Sequence, residues 1–441
     1  MSKKIIVAGA GHGGLVAAAY LAEQGYEATV FEKLKREDLG YDWHDTIGRD
    51  TFLFAGIEDY DKKDIRKRPD STFYAPSLKT PVSFDIEPDK ADIEVDRKVI
   101  YDYLISNAEK KGVKIYYSSN ITAPLLDENN NVAGIIVDGK EINADMVIDS
   151  AGLNSPLISQ LPAKYCIKNN YSGKDIFHAY RAYYNLVDGI EIKNKNRFNI
   201  YFKFGGIKGI AWFKISEGQA DVLVGSVDPL NFDIVETMLN KLCVVQPAIG
   251  SELLRGGQIK DIPIKSTFSL LVGNNYAAIG DAVSMPVPLN GSGITNSIRA
   301  GVMLADTIIN IDKAKNPYST SKLWDYQVKY YREIANKMIS ICILKNCLLG
   351  YSEKVLNFLF DREILTAKEL SAGGNGKEVV MGRTETLDKL KKGYSRPISL
   401  LKLKSAVKKS KAARKLAAEI PEVYDAVVVE KWRKKLEQYL K

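Results

Sequence analysis

The apolar positions of this chain change period several times, and each change marks a different kind of element. Ile5-Ile6-Val7-Ala8 is a short unbroken apolar run, the pattern of a strand buried on both faces. Glycines follow at once, then a helical stretch over 15–24 closed by Gly25, then a second strand over 27–32. From 33 to 70 the periodicity fades into polar sequence. Residues 97–111 read as helix, with Val99, Tyr103, Leu104 and Ala108 recurring on one face. Residues 113–117 read as a strand, and 132–137 with 141–148 as a hairpin around Asp138-Gly139, a strong two-residue turn signal.

In the middle of the chain the period drops to two. Phe198, Ile200, Phe202 and Phe204 alternate with Asn199, Tyr201 and Lys203, as on a half-buried strand. Segments 177–186, 209–215 and 220–227 are also β-rich and aromatic, so about 165–265 is expected to be a largely antiparallel sheet with one helix near 233–243. After Tyr276 a buried strand again leads through glycines into a helix. From Leu323 the pattern is helical to the end, broken at Gly373-Gly374-Asn375-Gly376 and by Pro397 and Pro421.

Composition adds bounds rather than identity. At 441 residues the chain exceeds one simple core, and 45% hydrophobic with 26% charged residues excludes a disordered chain or a collagen-like repeat. Four cysteines without a CxxC pair and three histidines argue against a disulfide framework and a zinc site; no metal is expected. Lys3 and Lys4 lead straight into the first strand with no secretory h-region, and the longest apolar stretch, 338–351, is interrupted by Lys345 and too short to span a bilayer. A cytoplasmic enzyme is expected. The net charge of +8 is localised: 389–416 holds eleven basic residues and no acid, leaving −3 for the rest. The main body therefore gives no reason to expect nucleic-acid binding. The basic segment reads first as a solvated helical face, and second as a peripheral membrane or acidic-partner contact.

Gly9-Ala10-Gly11-His12-Gly13-Gly14 fits G-x-G-x-x-G. It follows a buried strand, opens a helix, and is followed by Glu32 at the end of the next strand. In such a unit Gly9 permits the tight turn, Gly11 lets backbone N–H groups approach a pyrophosphate, and Gly14 lets helix and strand pack closely. The helix N-terminus favours the phosphates, and Glu32 accepts the adenosine ribose hydroxyls. His12 sits in the variable part of the turn and is read as spacing.

A second glycine turn lies far downstream. A buried strand delivers Gly280-Asp281, and the chain enters a helix through Gly291-Ser292-Gly293 and Ile294. A domain that binds only NAD needs no such element, but a flavin does. Its ribityl hydroxyls suit a carboxylate, here Asp281, and its pyrimidine end, which gains negative charge on reduction, suits a helix N-terminus near Gly293 and Ile294. FAD is the expected cofactor.

The two motifs together resemble FAD-dependent oxidoreductases of the p-hydroxybenzoate-hydroxylase architecture, most closely the geranylgeranyl-reductase group, over about residues 1–330. A G-D-A-x-x-x-x-x-P-L-x-G-x-G-I pattern is matched at Gly280, Asp281, Ala282, Pro288, Leu289, Gly291, Gly293 and Ile294. The resemblance implies that Arg97 meets the FAD phosphates and that Lys33 and Ile121 line the adenine. It departs where Ala151 replaces an acid and Ser284 a histidine, both against an aromatic-ring monooxygenase. Where the reductases carry Tyr-x-Trp-x-Phe-Pro, this chain has Ile210-Ala211-Trp212-Phe213-Lys214, and it has no cysteine before Cys166.

The expected fold is α/β, a Rossmann-like FAD-binding domain (1–60, 95–162 and 265–320). A mainly antiparallel β-sheet substrate domain (61–94 and 163–264) is inserted in it, and a helical region (321–441) follows. The favoured function is reduction of a C=C bond of, or dehydrogenation of, a hydrophobic isoprenoid or lipid substrate by hydride transfer at flavin N5. Tyr180, Phe202 and Trp212, with Tyr184 and Phe204, are the candidate pocket residues. No catalytic acid or base is assigned, although His178, Tyr180 and Arg181 adjoin one another. No second glycine fingerprint follows a strand, so the electron donor is left as NAD(P)H or a ferredoxin-type protein. A monooxygenase using NAD(P)H and oxygen, and a non-catalytic flavin-binding docking protein, are the rival readings.

Overall fold

The computed structural model describes residues 2–167, 171–267, 270–374 and 382–440. The opening apolar run becomes β1 (Lys4–Ala8), buried from Ile5 onward, inside a six-stranded sheet. On one side stand β2 (Glu27–Phe31) and β8 (Lys114–Tyr116), on the other β12 (Met146–Asp149), β19 (Tyr276–Ala278) and β18 (Val272–Gly273). Only the β18–β19 pair is antiparallel. Two helices, α1 (His12–Glu23) and α3 (Arg97–Lys110), follow β1 and precede β8; the single turn α2 (Thr51–Phe54) lies between them in sequence. The chain thus has the α/β architecture read from its pattern, and the second glycine turn leaves the same sheet as the first.

One expected strand is two. The hairpin around Asp138-Gly139 forms, with β10 (Val132–Val137) between β9 (Ile121–Leu126) and β11 (Lys140–Asn143). Residues 141–148 do not continue as one strand: Ala144 and Asp145 turn the chain, and the next four residues enter the parallel sheet as β12. The half-buried and the fully buried segment abut without a glycine or proline to separate them, so periodicity alone joined them. A small antiparallel sheet, β3 (His44–Ile47), β7 (Ile93–Asp96) and β4 (Arg66–Lys67), occupies part of the polar stretch.

A seven-stranded sheet gathers β5 (Asp70–Tyr74) and β6 (Val82–Phe84) with β13 (Ile176–Leu186), β14 (Arg197–Phe202), β15 (Gly209–Ser216), β16 (Gln219–Ser226) and β17 (Ile249–Pro263). It is antiparallel except where β5 joins β14. Its two faces differ in chemistry. Tyr180, Ala182, Phe213 and Val222 point to one side, under α4 (Phe232–Val245), the helix expected near 233–243. Phe177, Ala179, Leu223, Ile210 and Trp212 point to the other. The aromatic alternation ends at Phe202. Lys203 takes a left-handed backbone (φ 46°), and Phe204 turns into the α4-side cluster.

Helices complete the chain: α5 (Ile294–Lys313), α6 (Thr320–Tyr330), α7 (Asn336–Leu349), α8 (Glu353–Asp361), α9 (Ala367–Gly374), α10 (Arg383–Lys392), α11 (Pro397–Ala418) and α12 (Ala426–Leu440). The helical run breaks before Pro397, as expected, and Pro397 takes the first position of α11, which needs no N–H. The glycine-rich break expected at 373–376 is helical through Gly374; Asn375 and Gly376 lie outside the described residues. The buried face of α11 carries Ser410, Ala413 and Ala417, small residues that let it lie close to its neighbours.

Helices α1 and α5, one from each glycine motif, cross through contacts with no room for side chains. A Cβ on Gly301 would stand 2.3 Å from the Gly13 carbonyl oxygen, and one on Gly13 2.3 Å from that of Ser297. Gly13 N–H donates to Ser297 Oγ at 3.1 Å. We expect Gly301→Ala to force the helices apart and cost about 1–3 kcal/mol, read as a lower denaturation midpoint.

Candidate functional site

The first glycine turn rests on the end of β12. Gly9 has φ 83°, and its Cβ would meet Ala151 Cα at 2.7 Å; a Cβ on Gly11 would meet Ser150 Oγ at 2.3 Å. A Cβ on Gly14 would strike Ser150 and Val7, consistent with the close helix–strand packing expected of it. Gly11 is therefore required by protein packing as well as by any approach to a phosphate. Helix α1 begins after Gly11 without a side-chain cap from its own chain segment; of its first N–H groups, that of Gly13 is taken by Ser297 Oγ of α5.

Glu32 is 8% exposed and clasps this turn: Oε2 accepts from Ala10 N–H at 2.8 Å and Oε1 from Leu34 N–H at 2.9 Å. Each oxygen keeps a lone pair for a further donor. Lys33 beside it is exposed. Backbone bonds from Ser119 to the Glu32 carbonyl (2.8 Å) and from Ser118 to that of Leu34 (3.1 Å) draw the segment leading to Ile121 alongside. Ile121 itself is buried at the start of β9. We expect Glu32→Ala to destabilise the protein by about 2 kcal/mol even without cofactor, because two backbone donors lose their acceptor; chemical unfolding checks this.

The second turn is locked to the first. Ile279 N–H bonds the Asp149 carbonyl at 2.8 Å, and a Cβ on Gly13 would touch Ile279 at 2.7 Å. Asp149 was missed from sequence. Its carboxylate accepts from Ser155 Oγ, from Tyr276 Oη at 2.8 Å and from Ala151 N–H at 3.0 Å, which ties the end of β12 to β19. Past Gly280-Asp281 the loop runs back to Gly293, which caps α5 with no side chain and packs on Pro286.

Several polar groups converge on the crevice between the turns. The Asp281 carboxylate accepts no hydrogen bond among the described residues, although its backbone carbonyl accepts from Ser284 N–H at 3.2 Å. Burial, only partly offset by Arg97, pushes its carboxyl up to about 6. His12 Nε2 is buried without a partner. Its ring lies 4.5 Å from that of Tyr101, and burial followed by the Arg97 charge holds it down near 3, so it is neutral at physiological pH. Arg97, the first residue of α3, grips Asp45 through both ends of its guanidinium, one contact at 2.8 Å, and lies over Tyr41 at 4.4 Å. Tyr41, Trp43 and Asp45 come from the polar stretch that carried no sequence signal. An unclaimed carboxylate, an unpartnered imidazole nitrogen, a nearby guanidinium and two uncapped helix starts are a donor and acceptor set suited to FAD's hydroxyls and phosphates.

Beside the second turn lies an apolar cavity, narrow as it stands at about 60 Å³ and partly open to solvent. Pro288, Leu289, Asn290 and Gly291 of the loop before α5 form one wall; Phe177, Phe202 and Ile210 of the large sheet form another. Leu348, Leu356, Phe360, Leu365 and Leu370, from α7 to α9, close the far side. Of the three pocket candidates, Phe202 lines this space. Trp212 is on the same sheet face but donates from Nε1 toward Asp221 and is not among the lining residues. Tyr180 and Tyr184 share a hydroxyl bond of 2.8 Å, and Tyr180 is buried in the opposite-face cluster against α4; the alternation fixed that these residues share a face, not which one. His178 pairs with Asp261 at 2.7 Å. Lys345, which interrupted the apolar stretch, lines the cavity and donates to the Ile264 carbonyl at 2.7 Å.

Comparison with known proteins agrees with this fold. A family model described as NAD(P)-binding Rossmann-like domain matches residues 7–49, and one described as tryptophan halogenase matches 90–171. The chain is 20% identical to the digeranylgeranylglycerophospholipid reductase of Sulfolobus acidocaldarius, covering 99% of this chain and 97% of that protein. It is 24% identical to the enzyme of that name from Methanosarcina acetivorans, covering 81% and 87%. Among solved structures, a geranylgeranyl bacteriochlorophyll reductase-like protein from Thermoplasma acidophilum superposes with a TM-score of 0.73 at 20% identity, over 92% of this chain and 99% of that one. The flavin-dependent halogenase CmlS follows the same fold with a TM-score of 0.61 at 16% identity, over 99% and 78%. The resemblance to the geranylgeranyl reductases thus extends beyond residue 330 to nearly the whole chain.

Proposed function

We propose that this chain is an FAD-dependent oxidoreductase that reduces carbon–carbon double bonds of an isoprenoid lipid. One observation carries the reading: the loop that includes Pro288 and Gly291, expected beside the flavin ring, is also a wall of an apolar cavity. A substrate chain in that cavity is held against the loop by burial of its apolar surface. In this reading Gly9, Gly11, His12, Gly13 and Gly14 hold the pyrophosphate with Arg97; Glu32, Lys33 and Ile121 hold the adenosine end. Asp281 takes the ribityl hydroxyls, while Gly280, Pro288, Gly291, Gly293 and Ile294 cradle the ring. When bound, FAD supplies hydride exchange with a substrate carbon.

The chain's own residues exclude water and orient the substrate. Lys203 and Lys345 are the titratable side chains on the cavity wall. Lys203 donates to the carbonyls of Leu349 and Tyr351, Lys345 to that of Ile264. Burial lowers the pKa of both. The electrons come from an external donor, NAD(P)H or a ferredoxin-type protein. A phospholipid substrate puts the working protein at the cytoplasmic face of a membrane, as a peripheral protein.

The test is product analysis. Holoprotein given a chemical reductant and an unsaturated isoprenoid phospholipid is expected to add two hydrogen atoms per double bond, seen by mass. Incorporation of oxygen from the gas phase would instead make it a monooxygenase. Leu356→Trp, which fills the cavity away from the flavin loop, is expected to cut turnover of the long substrate more than about tenfold with an unchanged flavin spectrum.

A further inference from the structure

The described helices include none long and apolar enough to cross a membrane, yet one face of the C-terminal region combines apolar side chains with lysines in an unusual way. Leu387 and Leu390 on α10, Tyr394 in the turn, and Ile398 and Leu401 on α11 are all large, apolar or aromatic, and 43% to 81% exposed. Leu387 and Leu390 on α10, and Ile398 and Leu401 on α11, each stand three residues apart, the spacing that puts each pair on one face of its own helix, with Tyr394 in the turn between. Along α11 the same outward stripe continues with Lys404 and Lys408, both exposed, and Lys391 is exposed on α10. These three lysines pair with no acid among the described residues. The opposite face of α11 is already used: Leu400, Leu403 and Ala406 pack into the core around Leu359 and Phe360, and Ser410, Ala413 and Ala417 are buried. The outward stripe is therefore not an unfinished part of the fold.

The face also adjoins the cavity. Lys389 of α10 donates to the Ile364 carbonyl at 3.0 Å and pairs with Glu369 at 2.6 Å, and Lys392 pairs with Glu363 at 2.7 Å. Arg396 lies over Phe358 at 5.4 Å. Helix α10 is thus clamped onto the segment whose Leu365 and Leu370 close the cavity opposite the flavin loop.

We propose that the outer face of α10 and the first half of α11 docks on an anionic lipid bilayer, and that docking brings the leucine-lined end of the cavity to the membrane. The proposal rests on the lipid-reductase reading for the use made of docking, but not for docking itself. Leu387, Leu390, Tyr394, Ile398 and Leu401 enter the interface between headgroups and acyl chains, and the lysines meet the lipid charges. Charge complementarity selects this occupant over a second copy of the chain, whose like face would bring Lys391, Lys404 and Lys408 against their equals.

The test is sedimentation of the full-length protein with vesicles, without substrate. Binding to phosphatidylglycerol vesicles is expected, with none to phosphatidylcholine vesicles and release by high salt. Lys404→Ala with Lys408→Ala is expected to lower partition roughly 25-fold, about fivefold for each lysine. Ile398→Ser with Leu401→Ser is expected to weaken it to a similar degree; both sites are exposed, so circular dichroism and turnover of a short, detergent-dispersed substrate are expected to stay at wild-type levels. Wild-type protein that fails to bind anionic vesicles, or variants that bind as wild type does, would overturn the proposal. So would a concentration-dependent dimer that Ile398→Ser with Leu401→Ser abolishes, which would make the face a self-interface. Vesicle binding by a protein that reduces no lipid would refute the enzymatic reading and leave this one standing.

Discussion

Replacing Asp281 with Asn is expected to make the cofactor-free protein more stable and its hold on FAD weaker. The carboxyl is half-buried with no donor of its own, and its pKa stands near 6 because burial outweighs the attraction of Arg97. A raised folded pKa contributes stability that is full below the unfolded value of 3.8 and is lost as pH rises through about 6. The wild-type protein without FAD should therefore lose about 2–3 kcal/mol from this group between pH 4 and pH 7, and Asp281→Asn should flatten that step. Bound FAD reverses the balance: if the ribityl hydroxyls donate to this carboxylate, the charged acceptor is worth about 1.5–3 kcal/mol, so the variant should bind FAD some ten- to a hundredfold more weakly. Thermal unfolding across pH and a fluorescence titration with FAD check the two halves. A variant that loses stability at neutral pH and binds FAD normally would show that Asp281 serves the fold alone.

The second large effect is expected far from the glycine turns, at Asp221. On the cavity-side face of the large sheet, Arg181 meets this fully buried carboxylate at 2.9 and 2.6 Å, and Lys214 approaches it at 3.5 Å while also pairing with Glu94. Arg181 also donates to the His44 carbonyl, and Tyr183 Oη accepts from His44 N–H at 2.9 Å. The network joins the large sheet to β3 and β7, the strands that carry Asp45 and lead into Arg97. Burial alone would raise the Asp221 pKa, but Arg181 and Lys214 outweigh it and hold it low. Its stabilisation is thus present above the ordinary carboxylate pKa and is lost as pH falls below it. Asp221→Asn leaves two buried cations short of an anion, an expected cost of about 3–5 kcal/mol, measured by urea denaturation. Removing a whole pair, Glu94→Met with Lys214→Met, should cost far less, since no charge is then left unpaired. Equal losses from both would show that packing, not charge pairing, sets the stability of this junction.

What the sequence revealed and what it hid follow a physical line. Both glycine turns were legible because a buried strand, a glycine and a helix start are consecutive in the chain. Their meeting was not: Gly13, Ser297 and Gly301 touch across nearly 300 residues of separation. The small residues that allow the contact carry no apolar signal. The same is true of α11, whose buried stripe of Ser410, Ala413 and Ala417 is invisible to a search for leucines. Alternation placed Tyr180 and Trp212 on strands but could not say which face meets the cavity. Tyr41 and Asp45 reach the crevice from a polar stretch whose position is set by the sheets around it. Lys345 was noticed only as an interruption; it marked the place where an apolar helix borders a cavity and a carbonyl needs a donor.

The central claim is that a flavin held between the two turns delivers its electrons to a lipid in the adjoining cavity. The most direct measurement is anaerobic: FAD-loaded protein is reduced to colourlessness, then mixed with an unsaturated isoprenoid phospholipid. The account predicts that the yellow band returns without oxygen, in step with saturated product, and that Leu356→Trp slows its return. A flavin that stays reduced until oxygen is admitted, with the lipid unchanged, would contradict it.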